Sequence, residues 1–408
     1  MDIWKYISPA DKHLSYKGIK INNHVHTPWS FSSFDSIDEL VLQAKKENIS
    51  VLGINDFNTM AGYSEFAEKC ISNNIFPLFN IELIGLSRED MKKGLKVNDP
   101  GNPGRTYISG KGLAYPAKIS AHNRARLEEI REKSNLHIRQ MSEKVNGLLQ
   151  EIDKSLSVDF DDMLANYTLG MVRERHLAAM IRRVIAKKYT SGTERDRVFA
   201  RLLGDDYKSE GDRDSASLEN IIRSKLLKAG GKAFVEEDPA IFIDPVEIRN
   251  LILDAGGIPT YPFLADFKSG EYTDFEHDRE EAAIKLIDRG FYSVEFIPVR
   301  NDFKRFRDYA LFLHRHGFIV SFGTEHNVPG SAPLEVQAGG GAKLDDDLLN
   351  INLEAAAILA AHQYRVYKEG EGYLDSKGKP KIEEKMEYIE LGKKLIGSVV
   401  GTRHKAQG

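Results

Sequence analysis

The chain has 408 residues, enough for two or three domains or for one large barrel with an insertion. Hydrophobic residues make up 41% and charged residues 29%, the balance of a folded globular chain rather than a disordered one. A net charge of -4 gives no basic footprint for nucleic acid, and the single cysteine, Cys70, rules out an internal disulfide framework or a cysteine zinc knuckle. No apolar run is long enough to span a membrane, and the N-terminus lacks the apolar stretch of a secretory signal, so a cytoplasmic protein is expected. Any bound metal must draw on His, Asp and Glu, which suit zinc, manganese, iron or magnesium.

Residues 18–23 read as a short strand running into His24. Residues 36–48 carry Ile37, Leu40, Val41 and Ala44 at helical spacing, with Ser36 as N-cap and Glu39 completing a capping box. Residues 51–54 are a buried strand run, 63–73 a helix and 76–83 another strand. This alternation predicts a parallel sheet, open or closed into a barrel. From about 88 to 250 the pattern turns helical, clearest over 123–152 and 176–188, with a polar loop over 205–219 and few strand signals. That segment is read as a helical insertion. Alternation returns with a helix over 245–255, a strand from 258 to 261, a helix over 281–288, a strand over 292–297, a helix over 303–316 and a last strand over 318–322. A helical tail follows, clearest over 349–367. The expected division is a barrel built from 1–87 and 251–335, an insertion of 88–250, and a C-terminal helical segment of 336–408 packed on the barrel.

Four strand signals end in polar, metal-capable residues: His24-Val25-His26, Asn55-Asp56, Glu82, and Thr324-Glu325-His326. In parallel α/β folds the carboxyl ends of strands open onto one face, so these groups are expected to meet in space. Side chains alternate along an extended segment, so His24 and His26 point the same way, as two ligands of one cation must. A pair of surface or core histidines would look the same; the other strand ends tip the balance to metal. Glu82 lies among apolar residues, where an unpaired carboxylate is expensive. Asp56 is a candidate proton carrier or a turn cap. His176 starts a helix beside Arg175, whose guanidinium matches phosphate oxygens, and is read as a metal ligand or proton carrier. His326 has the same two readings. Arg300 and Asn301 follow the strand that contains Glu295 and are candidate substrate contacts, with a solvated loop as the alternative. Residues 101–144 hold nine Lys/Arg against four Asp/Glu, more simply a solvated helix face than a basic lid.

His24-Val25-His26-Thr27, Asn55-Asp56-Phe57-Asn58-Thr59, Ile81-Glu82, Arg175-His176, Ala255-Gly256-Gly257-Ile258-Pro259 and Gly323-Thr324-Glu325-His326 occur in the order of a PHP domain, the polymerase and histidinol phosphatase superfamily of metal-dependent phosphoesterases. The resemblance covers nearly all of residues 20–330. It implies a distorted (β/α)7 TIM-like barrel with a helical insertion after the third strand, and up to three metals at the strand ends. The chain departs from the family at Phe57 and Tyr261, where ligand histidines usually stand, and at Glu325 for an aspartate. Asn327 holds the usual histidine place, with His326 one residue before it. The resemblance then implies one site on His24, His26, Glu82 and Glu325, and a partial second site on Glu82 and His176. Tyr261 would be a weak ligand or hydrogen-bond donor to substrate. One or two divalent ions, zinc, manganese or iron, are expected.

Together these readings give a metal-dependent hydrolase of a small phosphorylated metabolite. Arg175, Tyr261, Arg300 and Asn301 would contact substrate, and Asp56, His176 or His326 would move protons. No nucleic-acid or membrane partner is expected, and a homo-oligomer is left open. The alternatives are a mononuclear-metal sugar isomerase, lyase or non-phosphate hydrolase on the same barrel, and a non-catalytic binding module.

Overall fold

A computed structural model describes residues 2–9, 15, 17–204, 207, 215–266, 271–327 and 332–400. In chain order the elements are β1 (Lys20–Val25), α1 (Ile37–Lys46), β2 (Ile49–Phe57), α2 (Tyr63–Ser72), β3 (Phe76–Leu86), α3 (Arg88–Lys92) and β4 (Arg105–Lys111). Then come α4 (Ala121–Ile152), α5 (Phe160–Tyr167), α6 (Glu174–Lys188), α7 (Gly192–Leu203), α8 (Ser215–Ile222) and α9 (Pro245–Asp254). The barrel resumes with β5 (Ile258–Phe263), α10 (Arg279–Asp288), β6 (Ser293–Phe296), α11 (Phe303–Arg315) and β7 (Ile319–Phe322), and the chain continues into α12 (Asp346–Glu369) and α13 (Lys385–Val400). Among the described residues no helix is long and apolar enough to cross a membrane.

The seven strands lie in one sheet in sequence order, and residues beyond β7 return to β1 to make a nearly closed barrel. β1–β2–β3 and β5–β6–β7 are parallel runs with helices outside, and their strands are buried almost throughout, as parallel strands covered on both faces must be. The elements expected from periodicity fall where the pattern put them. At α1, Ser36 caps the backbone N–H of Glu39, but the Glu39 carboxylate accepts from Asp35 rather than from Ser36, so half of the expected capping box forms.

Residues 88–250 are not wholly helical. β4 runs antiparallel to both β3 and β5 and links the two parallel halves of the barrel. Its sequence, RTYISGK, is short, polar-rich and broken by glycine, so no apolar run announces it. The loop expected over 205–219 lies partly outside the described residues, and its end, from Ser215, is helical in α8. Helices α4 to α8 gather their own apolar core around Met141, Leu149, Ile181, Phe199 and Leu227. α4 belongs to both cores: Leu127 and Ile130 pack on the barrel, while Ile138 to Leu149 pack in the insertion.

The seam between β1 and β7 is closed in two ways. Beyond β7, Thr324 and Glu325 donate backbone N–H groups to His24 O, and His26 N–H donates to Glu325 O. Lower down, the Asn352 side chain from α12 takes the place of ladder bonds: its amide donates to Ile21 O, and its oxygen accepts from Phe322 N–H and from the Asn23 amide. Asn352→Ala leaves three buried polar groups without partners and should destabilise the protein by about 3 kcal/mol in urea unfolding, whereas Asn350→Ala on the outer face should stay within about 0.5 kcal/mol.

Candidate metal centre

β1 delivers His24 and His26 to the barrel mouth with both imidazoles on one side, as extended spacing requires. Their Nε2 atoms stand 3.4 Å apart. Glu82 sits on β3 opposite Phe57 of β2 and Ser109 of β4, and its Oε2 lies 3.4 Å from His24 Nε2 and 3.3 Å from His26 Nε2. All three residues are buried, and they form the one such potential metal-binding group among the described residues. Three donors bound at about 2.1 Å to a tetrahedral ion stand about 3.4 Å apart, so this triangle has the spacing of three corners with a fourth left open. Glu82 Oε2 is buried without a hydrogen-bond partner. An orphaned carboxylate oxygen between two imidazole nitrogens suits a cation, which would engage all three donors at once.

The far nitrogens are held from behind. His24 Nδ1 is 2.9 Å from Glu295 Oε2, an acceptor that favours a proton on Nδ1 and leaves Nε2 as the nitrogen turned to the triangle. His26 Nδ1 is 3.3 Å from Ser30 Oγ, which donates to Asp56 Oδ1 at 2.6 Å. Gly323 makes room for this arrangement: a Cβ there would come within 2.3 Å of His24 Cβ. Burial pulls the His24 imidazole down, but the Glu295 and Glu82 carboxylates outweigh it and bring it up to about 9. Burial likewise works against the charge of Glu82, and the two imidazoles overcome it, holding the carboxyl down at about 2.

His24 and Glu82 of the triangle line a cavity of ≈ 580 Å³ between the barrel and the insertion. Phe31, Phe57, Tyr107, Ile84 and Ile297 give it apolar walls, and Arg173, Arg175 and Arg300 face it. Arg173 stacks 4.8 Å over the Phe57 ring and makes no ion pair among the described residues. Arg175 lies 5.4 Å over Phe31 and donates to Asn220, and burial lowers its pKa to about 10. Arg300 pairs with Glu325.

Several expected roles change. Asp56 does not line the cavity: it accepts from Thr27 N–H at 2.7 Å, Thr27 Oγ at 2.5 Å and Ser30 Oγ, so it clamps the loop after β1 and steadies His26 instead of carrying protons. His326, expected as ligand or proton carrier, has both nitrogens engaged, with Thr324 Oγ at 2.6 Å and Ala332 O at 3.1 Å, and stacks on Phe34. His176 is outside the triangle. Its Nδ1 accepts from Arg173 N–H at the start of α6, and burial, with Arg173 and Arg183 nearby, holds its pKa down at about 3. Glu325 lines the cavity at a φ of +70°, but its carboxylate meets Arg300, not the triangle. Tyr261 is buried away from the cavity and donates to Glu276 at 2.8 Å. Asn301 does line the cavity, with its amide bound to Leu264 O and Asp266. Phe57 stacks on His26 at 4.9 Å, so the residue standing at a ligand position shields a ligand.

Sequence reasoning gave no role to Lys111, Ser109, Glu295 or His137. His137, from the middle of α4, lines the cavity and makes no side-chain hydrogen bond among the described residues. Burial holds its imidazole below the ordinary value, so it is neutral at pH 7.

Residues 22–216 match the family model of the PHP domain. Part of it is similar to DNA polymerase III subunit alpha of two Staphylococcus epidermidis strains, 38% identical over 63 residues, which is 15% of this chain. The match spans only 6% of the length of those relatives. Two solved structures share the barrel. One is a Chromobacterium violaceum protein named as an amidohydrolase, with bound sulfate and no metal, at 16% identity over 82% of this chain and 96% of that one, with a TM-score of 0.52. The other is a Bifidobacterium adolescentis protein named as a metal-dependent phosphoesterase, at 18% identity over 82% and 95%, with a TM-score of 0.51. At these identities the likeness is one of fold.

The Tyr261 contact makes a pH signature. Burial pushes the Glu276 carboxyl up to about 8, against the Leu264 N–H, Tyr261 hydroxyl and Ala265 N–H that favour its charge. The folded state therefore binds more protons than the unfolded one between about pH 4.5 and pH 8, and this group's contribution to stability falls as pH rises through that window. Thermal unfolding of Glu276→Gln should lose that slope relative to the unsubstituted protein, whatever the offset between the two curves.

Proposed function

We propose that this PHP domain is a metal-dependent hydrolase that cleaves the phosphate ester of a small metabolite. The observation that carries the reading is the orphaned Glu82 Oε2 between two imidazole Nε2 atoms beside a cavity walled by arginines. The same activity class is in the name of the Bifidobacterium neighbour, and the Chromobacterium neighbour binds sulfate, a tetrahedral oxyanion like phosphate. A cavity of ≈ 580 Å³ suits a small molecule.

His24, His26 and Glu82 would hold one divalent ion of the zinc, manganese or iron type; Phe57 and Tyr261, turned to other work, supply no second set. When bound there, such an ion supplies a Lewis acid for a phosphoryl oxygen and a hydrolytic water at neutral pH. Arg173, Arg175 and Arg300 bind the anion, with planar guanidinium groups matched to phosphate oxygens. The apolar walls exclude bulk water and strengthen those contacts. His137 faces the same space in neutral form and exchanges a proton with the substrate or leaving group.

Purified protein should contain close to one equivalent of divalent metal by elemental analysis and release phosphate from a panel of small phosphate esters. Chelation or His26→Ala should abolish both. Absence of metal, or full activity in His24→Ala, would overturn the reading. His137→Asn should keep its metal and lose about 10²-fold in kcat. A second reading, hydrolysis of an amide or other non-phosphate bond, is favoured by the name of the Chromobacterium neighbour. It predicts turnover of amide or lactone substrates with no phosphate release.

A further inference from the structure

Lys111 is fully buried inside the barrel, where an ammonium group is costly unless each N–H finds an acceptor. All three do: Glu295 Oε2 at 2.6 Å, Asn55 Oδ1 at 3.2 Å and Asn23 O at 3.2 Å. Glu295 in turn accepts from Lys111, from Ser109 Oγ and from His24 Nδ1. Ser109 and Lys111 stand two residues apart on β4 and so share the inward face, while Asn55 comes from β2 and Glu295 from β6. The antiparallel strand inside the insertion segment thus supplies two of the three groups that hold Glu295.

A buried ion pair is weak evidence for stability, since apolar replacements of similar volume are often neutral or stabilising. The pair here ends on one atom of a candidate ligand. Glu295 alone would add a second negative charge beside Glu82; with Lys111 attached, the unit is neutral and keeps one acceptor directed at His24. We infer that Lys111 and Ser109 lock Glu295 against His24 Nδ1, and that this lock fixes the His24 tautomer and ring orientation and so sets the affinity of the site for its metal. Glu295 and Lys111 are positioning residues, and the inference rests on the metal reading above.

The test uses zinc affinity, measured by competition with a chromophoric chelator, and the visible spectrum of the cobalt(II)-loaded protein. Glu295→Gln should lower zinc affinity about 10- to 100-fold and shift the cobalt bands, and Glu295→Asp should recover part of both. Lys111→Met alone leaves a buried unpaired carboxylate and is liable to misfold. The double variant Lys111→Met/Glu295→Gln keeps the interior neutral. If Lys111 acts through Glu295, the double variant should match Glu295→Gln in affinity. Wild-type affinity and unshifted bands in Glu295→Gln, with or without a lower unfolding midpoint, would overturn the inference, as would a much greater loss in the double variant. Failure of the unsubstituted protein to bind zinc or cobalt would overturn the metal reading itself, and this inference with it.

Discussion

Two imidazoles and a carboxylate held within 3.4 Å of one another, out of water, make up an expensive arrangement. Nothing in the local propensity of β1 or β3 favours it. It persists because each group is fixed from behind by structure that serves several purposes at once. His24 leans on Glu295, His26 leans on Ser30 and through it on Asp56, and Glu82 is locked into a strand between Phe57 and Ser109. The barrel supplies these supports from strands distant in the chain, and seam closure between β1 and the segment after β7 brings Glu325 and Gly323 against His24.

The insertion takes part in the barrel itself. Its antiparallel strand joins the two parallel halves of the sheet and carries Ser109 and Lys111 into the interior. Its long helix leaves the barrel core near Ile130 and enters the second core at Ile138, and the cavity opens across that transition, where Ser134 and His137 face it. The triangle and the cavity walls therefore come from different layers: the triangle from the parallel strands, the arginines that face the cavity from both the β6–α11 loop and the start of α6.

Much of the barrel was legible in the sequence, because parallel strands read as apolar runs and the helices between them carry clear periodicity. The triangle was legible for a related reason: His24, His26 and Glu82 lie on or at the ends of such runs. β4 was not legible, since its inward residues are Ser109 and Lys111, which look like surface positions until the buried Glu295 is known to face them. Asp56, His176 and His326 were singled out because acids and histidines near apolar segments look functional. What their lone pairs bind depends on Thr27, Arg173 and Thr324, and proximity in the chain does not say whether a group turns inward to the cavity or back onto its own loop. Tyr261 was assigned to substrate for the same reason, its partner Glu276 lying across a loop.

Asn352 gives the barrel an order of assembly. The strand that opens the barrel and the strand that ends it are joined, below the histidine–carboxylate triangle, by one amide on a helix that follows both. During synthesis, β1 leaves the ribosome more than three hundred residues before the group that completes its hydrogen bonding. Pairings of that sequence separation form late, since their loop entropy must be met before they return any energy. Until α12 docks, the lower edges of β1 and β7 remain open to other strands, so α12 guards the nascent barrel against mispairing as well as finishing it.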